Sequence, residues 1–428
     1  MTNEVSLNDP HGDDTSQSNR LLRIGLIVPG SIIFLIIAAA LLVFAPRLLL
    51  NNWLGDQKVD PATVRLAVGN AAQVVLFALG GLIALVGVVL SLSRHGLELE
   101  TARSETKKEA RRILELQQQR STDSERELRT RFVNAVSLLS DRETSTTREA
   151  GVYALAALAD DWHAFGRPDE RQVCIDVLCS YLRSNWDPAA DTAENEKNIR
   201  AAGFDVIGAH LRVGSSRSTW RGTRINLRGA LVDFDTNLSE IDTSETTIDF
   251  TGTTFAGGET DFSQARFANS MSFTGARFSG AQLSFHAARF ERGMIDFEYA
   301  VLEAGRVPFS RASFEGGDVS FADAKFKGTA VMFSGSKMRA GTISFAGAEF
   351  AHGRVNFMET QFAGATVDFE SVRFSGASVN FSRARFSDGI VRFEGAERSG
   401  GSVRFARATF SGTMDGEGGG FIEPLLTP

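Results

Sequence analysis

Two cysteines and six histidines are all the thiol and imidazole side chains that 428 residues hold. Cys174 and Cys179 fall on a predicted helix and point to different faces, which argues against a disulfide framework or a thiolate metal site. The histidines are scattered. His286 and His352 take outward or corner positions of a repeat described below, where surface residues belong. No phosphate loop, zinc spacing, nucleophile elbow or metal-binding histidine pair occurs. Charge of one sign is also missing. Between residues 249 and 412, about 18 Lys and Arg face about 17 Asp and Glu, which gives neither the acidic field of a DNA mimic nor a basic stripe for nucleic acid. No catalytic, cofactor-binding or metal-binding residue is nominated, and the chain is not expected to be an enzyme.

Phenylalanine is what the chain has in abundance, 33 residues of it. From Phe250 to Phe410 it returns with gaps of five and then seven, as in Phe309, Phe314, Phe321, Phe326 and Phe333. About 28 slots follow this beat and about 25 hold Phe, so the chain builds one small unit again and again. Leu302, Met338 and Arg398 are the exceptions, and one residue is missing between Phe267 and Phe273. Two residues before each first Phe stands an aliphatic side chain (Leu283, Ile295, Val307, Val319), and two before each second Phe a small one (Ala276, Ala288, Ala300, Ala312). Residues i and i+2 share one face of a strand, so each half-repeat is a short extended piece with two side chains inward. The residue between them is mostly polar and faces out: Asp261, Ser272, Ser284, Asp296, Ser320, Asn356, Asn380. Glycines after the second Phe, including Gly280, Gly293, Gly317, Gly341 and Gly376, suit corners. The product is a parallel β-solenoid with columns of rings in its core, stacked at about 4.8 Å.

These Ala-x-Phe-x-Gly and Val-x-Phe-Ser-x units resemble pentapeptide repeats, in a Phe-rich variety with two extra residues in every second side. The resemblance implies a right-handed four-sided parallel β-helix with about 24 residues per coil, about seven coils and a rod of roughly 35 Å. A flat two-sided rung of about 12 residues is the alternative. It would crowd two rings per rung between sheets about 10 Å apart, which favours four sides. The beat extends backward with weaker residues at Leu227, Val232, Leu238 and Thr243, and with Ile225, Ala230 and Ile241 inside, so this stretch is expected to form the first coil and cap the core.

Residues 1–20 are polar and read as a disordered tail. Within 21–95, the uncharged runs Ile24–Ala45 and Leu66–Ser93 are long enough to cross a bilayer core of about 30 Å, so two transmembrane α-helices joined by a short loop are expected. Arg20 and Arg23 precede the first run, and Arg94, Arg103, Lys107 and Lys108 follow the second. The positive-inside rule then sets the N-terminus and the repeats in the cytoplasm of a multi-pass cell-membrane protein, with the lipid bilayer as one partner. Residues 96–130 form a charged helical stalk with pairs such as Glu125 and Arg129 at helical spacing; dimerisation through the stalk or the spans is the homo-oligomer alternative.

An α-helical linker module over 131–215 precedes the β-helix at 220–412, and 413–428 is a Gly-rich flexible tail or loose end-cap. In the module, Phe132, Ala135, Val136 and Leu139 mark one helix face. Thr146 and Glu149 suggest a capping box, and Pro168 a first helical turn before Val173, Val177, Leu178 and Tyr181. The stretches 148–155, 177–183 and 206–212, with Trp220-Arg221-Gly222, resemble the helical module before Phe-rich repeats in actinobacterial membrane proteins.

The function expected is a membrane-anchored, non-enzymatic interaction or scaffold protein offering its β-helix to a protein partner. DNA-mimic protection of a topoisomerase is the runner-up, weakened by the neutral rod. A carbohydrate-active β-helix would need convergent carboxylates. Asp249, Asp261, Asp296 and Asp368 recur just before Phe, but Ser, Asn, Met and Arg fill the same slot elsewhere. Arg398 in a ring slot marks either a partner site or, as expected, an opened coil near the rod's end.

Overall fold

The structure is a computed structural model and describes residues 60–214, 220–411 and 413–415, together with Ile36, Ile37, Ala40, Phe44 and Leu48. It divides into two units, Met1–Gln119 and Arg120–Pro428. A single helix, α1 (Pro61–Leu139), contains both the uncharged run after Arg65 and the charged stretch that follows. Among the described residues no helix is long and apolar enough to cross a membrane. The two expected transmembrane helices therefore lack support. The first falls almost wholly outside the described residues, and the second is no discrete element but part of a 79-residue helix. The expected tail at 1–20 also lies outside the described residues.

In the second unit, α1 ends against α2 (Ser145–Ala164), α3 (Pro168–Arg183) and α4 (Ala193–Leu211). Ala135, Leu139, Val152, Leu155 and Ala159 are buried, as their helical spacing requires. Pro168 opens α3 with Asp169 and Glu170 in its first turn, where carboxylates favour the exposed N–H groups. Two expectations need correction. Thr144, not Thr146, precedes α2 and makes no side-chain cap; Asp141 instead accepts from the N–H groups of Glu143 and Thr144. Val173 is exposed, because the buried face of α3 runs through Cys174, Ile175, Leu178, Cys179 and Leu182.

From Arg224 onward the chain is a β-solenoid of about eight coils, in which the weak-residue stretch from Ile225 onward forms the first, as its spacing implied, ahead of the Phe-rich coils. Equivalent strands pair in parallel one coil apart, Val319 with Ile343 and Phe290 with Phe314, which fixes a 24-residue period and excludes the 12-residue rung. Each coil feeds four ladders, two in each of two 14-stranded sheets. Eight-residue strands such as Gln361–Asp368 and Val301–Pro308 join the paired ladders across a corner. The residue missing after Phe267 is taken from a corner, so rings still meet rings on either side: Phe267 with Phe290, Phe255 with Phe278.

Four ring columns fill the interior. Phe273, Phe297 and Phe321 stack at 4.7 Å, and Phe285, Phe309 and Phe333 at 4.7–4.8 Å. These two central columns meet each other edge to face, Phe285 against Phe297 at 89°. Offset stacking along a column and T-shaped contact across it are both favourable ring geometries. Leu302 and Met338 take ring slots and are equally buried. Where the small slot holds Ser336 or Thr360, the buried hydroxyl donates to the carbonyl of Phe309 or Phe333 in the preceding coil, at 2.7 and 2.8 Å. That bond removes the cost of burying an unpaired hydroxyl.

Every first Phe opens a type II turn. The Ala300 N–H donates to the Phe297 carbonyl at 3.0 Å, and Tyr299 between them has φ of +58°. Gly252, Gly275, Gly335, Gly347 and Gly395 take this left-handed slot in some coils, and Ala287, Arg311 or Asp323 in others. The corner expected from glycine after the second Phe is only partly of this kind. Gly293, Gly341 and Gly353 have positive φ, whereas at Gly376 the requirement is space, since a Cβ there would lie 2.2 Å from the Ala351 carbonyl oxygen.

The helices cover the first coil. Gln172 donates to the Arg224 carbonyl at 2.9 Å and accepts from the Arg224 N–H at 3.0 Å. The Trp186 indole donates to the Leu231 carbonyl, and Arg212 donates to the carbonyls of Ser239 and Asn237. These bonds occupy strand-edge groups that would otherwise template another chain. One apolar core runs unbroken from Leu128 through the helices to Phe405. At the far end Val403 is half-buried and Arg398 is exposed, the opened coil that its position suggested.

Candidate interaction surface

The solenoid holds its outward side chains in the same parallel registers as its core. Along one ladder the column reads Arg289, Ser313, Lys337, Gln361, Arg385; along another, Asp296, Ser320, Ser344, Asp368, Arg392. The interior repeats while the exterior changes from coil to coil. Opposite charges on neighbouring coils pair off. Arg277 lies 2.7 Å and Lys327 3.5 Å from Glu303, Arg339 lies 3.5 Å from Glu315, and Arg373 pairs with Glu349. Arg266 makes a two-pronged contact with Glu291 at 2.8 and 2.9 Å, and its hydrogen bonds hold the Glu291 carboxyl below its ordinary range. Such exposed pairs contribute only about 0–1 kcal/mol each. Their larger effect is to neutralise the rod locally.

The aspartates weighed as a carboxylate cluster do not converge. Asp249, Asp296 and Asp368 share one ladder, where Ser272 separates the first two and Ser320 and Ser344 the last two. Asp261 lies in the other sheet. Each side chain instead accepts the backbone N–H two residues on, Asp296 from Glu298 at 2.9 Å and Asp261 from Ser263 at 2.8 Å. Asn356 and Asn380 do the same for Met358 and Ser382. The polar slot before Phe is thus a turn-forming position, which explains why Asp, Asn and Ser recur there. Ser284, expected to face out, is buried. His286 and His352 are exposed, as their positions imply.

Two clefts open in the helical module. The first, about 470 Å³, is lined by Arg142, Arg148, Tyr181, Trp186, Glu196 and Arg200 among others. Its floor is an ion cluster in which Glu196 accepts from Arg148 at 2.5 Å, from Arg200 at 2.8 Å and from the Tyr181 hydroxyl at 3.0 Å. Arg200 is 1% exposed and also donates to the Leu182 carbonyl and to Ser184, so it ties α4 to the end of α3. Burial acts to raise the Glu196 pKa, but the guanidinium groups and the tyrosine hydroxyl outweigh it and the net shift is downward. The second cleft, about 540 Å³, is lined by Tyr153, Asp160, Asp205, His210 and Arg212. His210 is buried there between the Val206 carbonyl at 2.6 Å and Asp160 at 3.1 Å, and it stacks on Trp220 at 4.5 Å. Burial pushes the thiols of Cys174 and Cys179 up to about 12, which makes both inert as nucleophiles. Among the described residues no group of three or more His, Cys, Asp or Glu side chains could hold a metal ion.

Neither a protein-family model nor a curated protein matches the chain. The β-solenoid with its 24-residue period and stacked Phe core is consistent with a pentapeptide-repeat β-helix.

Proposed function

We propose that the chain is a non-enzymatic interaction protein that presents a right-handed, four-sided β-helix to a protein partner from a membrane-tethered base in the cytoplasm. The observation that carries this reading is the division of labour in the coils. The interior is the same ring stack throughout, whereas each outward column changes chemistry at every step, as from Arg289 through Ser313 and Lys337 to Gln361. Such a surface can be specific at one place without any cost to the fold. The dispersed, turn-bound aspartates support the non-enzymatic reading, and the paired charges favour a protein partner over topoisomerase protection by DNA mimicry. The membrane tether rests on the uncharged run Leu66–Ser93, where Leu66, Val74, Phe77 and Leu85 stand exposed and would be better accommodated by lipid than by water.

The test is in-cell cross-linking of the full chain followed by recovery from the membrane fraction. A defined cross-linked species is expected with the wild-type chain, and it should disappear in a Lys337→Glu/Arg385→Glu variant whose ring core is untouched. Recovery of the chain from the soluble fraction would remove the tether. An unchanged cross-link pattern in that variant, and in charge reversals on the other three faces, would remove the docking role of the coils.

A further inference from the structure

The ion pairs between coils leave charges over, and these are sorted by side. Four rings cross the core in a row, Phe350, Phe345, Phe357 and Phe362, at centroid distances of 5.8, 6.5 and 5.8 Å. The edges of the coil beyond Phe350 and beyond Phe362 are therefore opposite each other. On the Phe362 side, Lys337 and Arg385 flank ring slots, and Arg311 and Arg407 stand at the corner that leads to such slots. On the Phe350 side, Asp323, Glu370 and Glu394 stand at the corner and Glu397 flanks a ring slot. All eight are exposed, and none is in an ion pair among the described residues. Lys325 interrupts the acidic edge and Asp388 borders the basic one, so each edge keeps its sign without being uniform.

The backbone of the basic corner is a second, independent sign. Its left-handed position is Gly335 in one coil, yet Arg311, Arg383 and Arg407 hold it at φ of +60°, +60° and +58°. Glycine would adopt that conformation without strain. Arginine three times at a strained position is the pattern of a surface that needs the side chain. Opposite charges also lie at matching heights. Arg311 and Asp323, Arg385 and Glu370, and Arg407 and Glu394 are each about half a 24-residue coil apart along the chain. Half a coil is about 2.4 Å of rise, well within the reach of an arginine side chain.

We propose that the coils dock on a second copy of this chain, the basic edge of one rod lying along the acidic edge of the next, a partner that presupposes the docking role of the coils proposed above. The two edges differ, so the contact is heterologous and leaves one free edge of each sign. Copies then add in a row instead of closing as a pair. Rods based on one membrane stand parallel, which brings the three charge pairs level. Exposed charges are screened by salt, so rows form at low ionic strength and come apart at high.

The test is sedimentation velocity of the purified full chain in a mild non-ionic detergent. It compares about 20 mM with about 500 mM salt, where exposed charges act over about 20 Å and about 4 Å. At low salt the wild type should form a concentration-dependent series larger than its high-salt species. Lys337→Glu/Arg385→Glu moves the basic edge towards acid, and Glu370→Lys/Glu394→Lys moves the acidic edge towards base. Each variant alone should associate about tenfold more weakly or worse, and an equimolar mixture of the two should regain the series. Regain in the mixture also shows that neither variant has lost its fold. A wild type that sediments alike at both salts would overturn the proposal, as would a mixture that stays as dispersed as its components. A wild type that does not associate, while its in-cell cross-link is lost in Lys337→Glu/Arg385→Glu, would make the partner another protein. That result overturns docking between copies and leaves the docking role of the coils standing.

Discussion

Phe333→Ala removes a ring from the middle of a column, and its cost follows from what that ring touches. Phe333 is wholly buried and stacks at 4.8 Å on both Phe309 and Phe357, with Phe314 tilted against its edge at 6.1 Å. Neighbours locked in register by parallel strands cannot collapse into the space, so the loss should lie in the full range for buried Phe→Ala, about 3–5 kcal/mol. Phe410 is the comparison. It is a ring of the same beat, in the second Phe slot rather than the first, but is 41% exposed, with one stacked partner in Phe386. Losing its partial burial should cost about 1–2 kcal/mol. Both variants would be compared with wild type by denaturant-induced loss of the β-sheet circular dichroism signal, and Phe333→Asp should be worse than either because it buries an unpaired charge. Coils interact mainly with their neighbours, so the central variant could split one transition into two, and the midpoint of the earlier one is then the quantity to compare. Equal costs at 333 and 410, or a Phe333→Asp chain that melts like wild type, would refute the ring-column account of stability.

Two further outcomes follow from the corners and the ion cluster. Gly335 has φ of +68° and nothing closer than 3.9 Å to an added Cβ, so Gly335→Ala should cost about 1 kcal/mol from backbone conformation alone, measurable by the same denaturation. No loss would mean the corner can leave the left-handed region. Glu196→Ala strands Arg200 and Arg148 against each other and should destabilise the helical module by about 3–5 kcal/mol. Because the Glu196 pKa is depressed, its contribution should be complete above the unfolded value of about 4.3 and fade as pH falls below the ordinary carboxylate range. Melting between pH 3 and 6 should therefore show a smaller acid-induced loss in the variant, and parallel curves would count against the cluster.

The ring slots were legible because Phe has one role here, and the two-residue offsets to Val and Ala showed which face it shares. The left-handed corner two residues after each first Phe was half-visible. Glycine marks it at Gly252, Gly275 and Gly335, but Tyr299 and Arg311 hold the same backbone without announcing it. The recurring aspartates looked like surface chemistry because the turn bond from Asp296 to the Glu298 N–H is a local geometry that composition does not reveal. The covering of the first coil could not be read at all. Gln172 reaches Arg224 and Trp186 reaches Leu231 only once the helices have packed, across stretches of chain with no shared pattern. Uncharged Leu66–Ser93 shows the opposite limit. Its composition speaks for a membrane, yet the structure gives one helix that runs on to Leu139.

Gln172, Trp186 and Arg212 do more than shield the start of the rod. A parallel coil has no hairpin partner of its own and needs a ready-made ledge on which to settle. The helices provide that ledge, and they leave the ribosome before any coil does. Assembly can then follow translation, each newly made turn settling on the one before it, so a stalled or truncated chain would carry a shorter rod rather than a misfolded one.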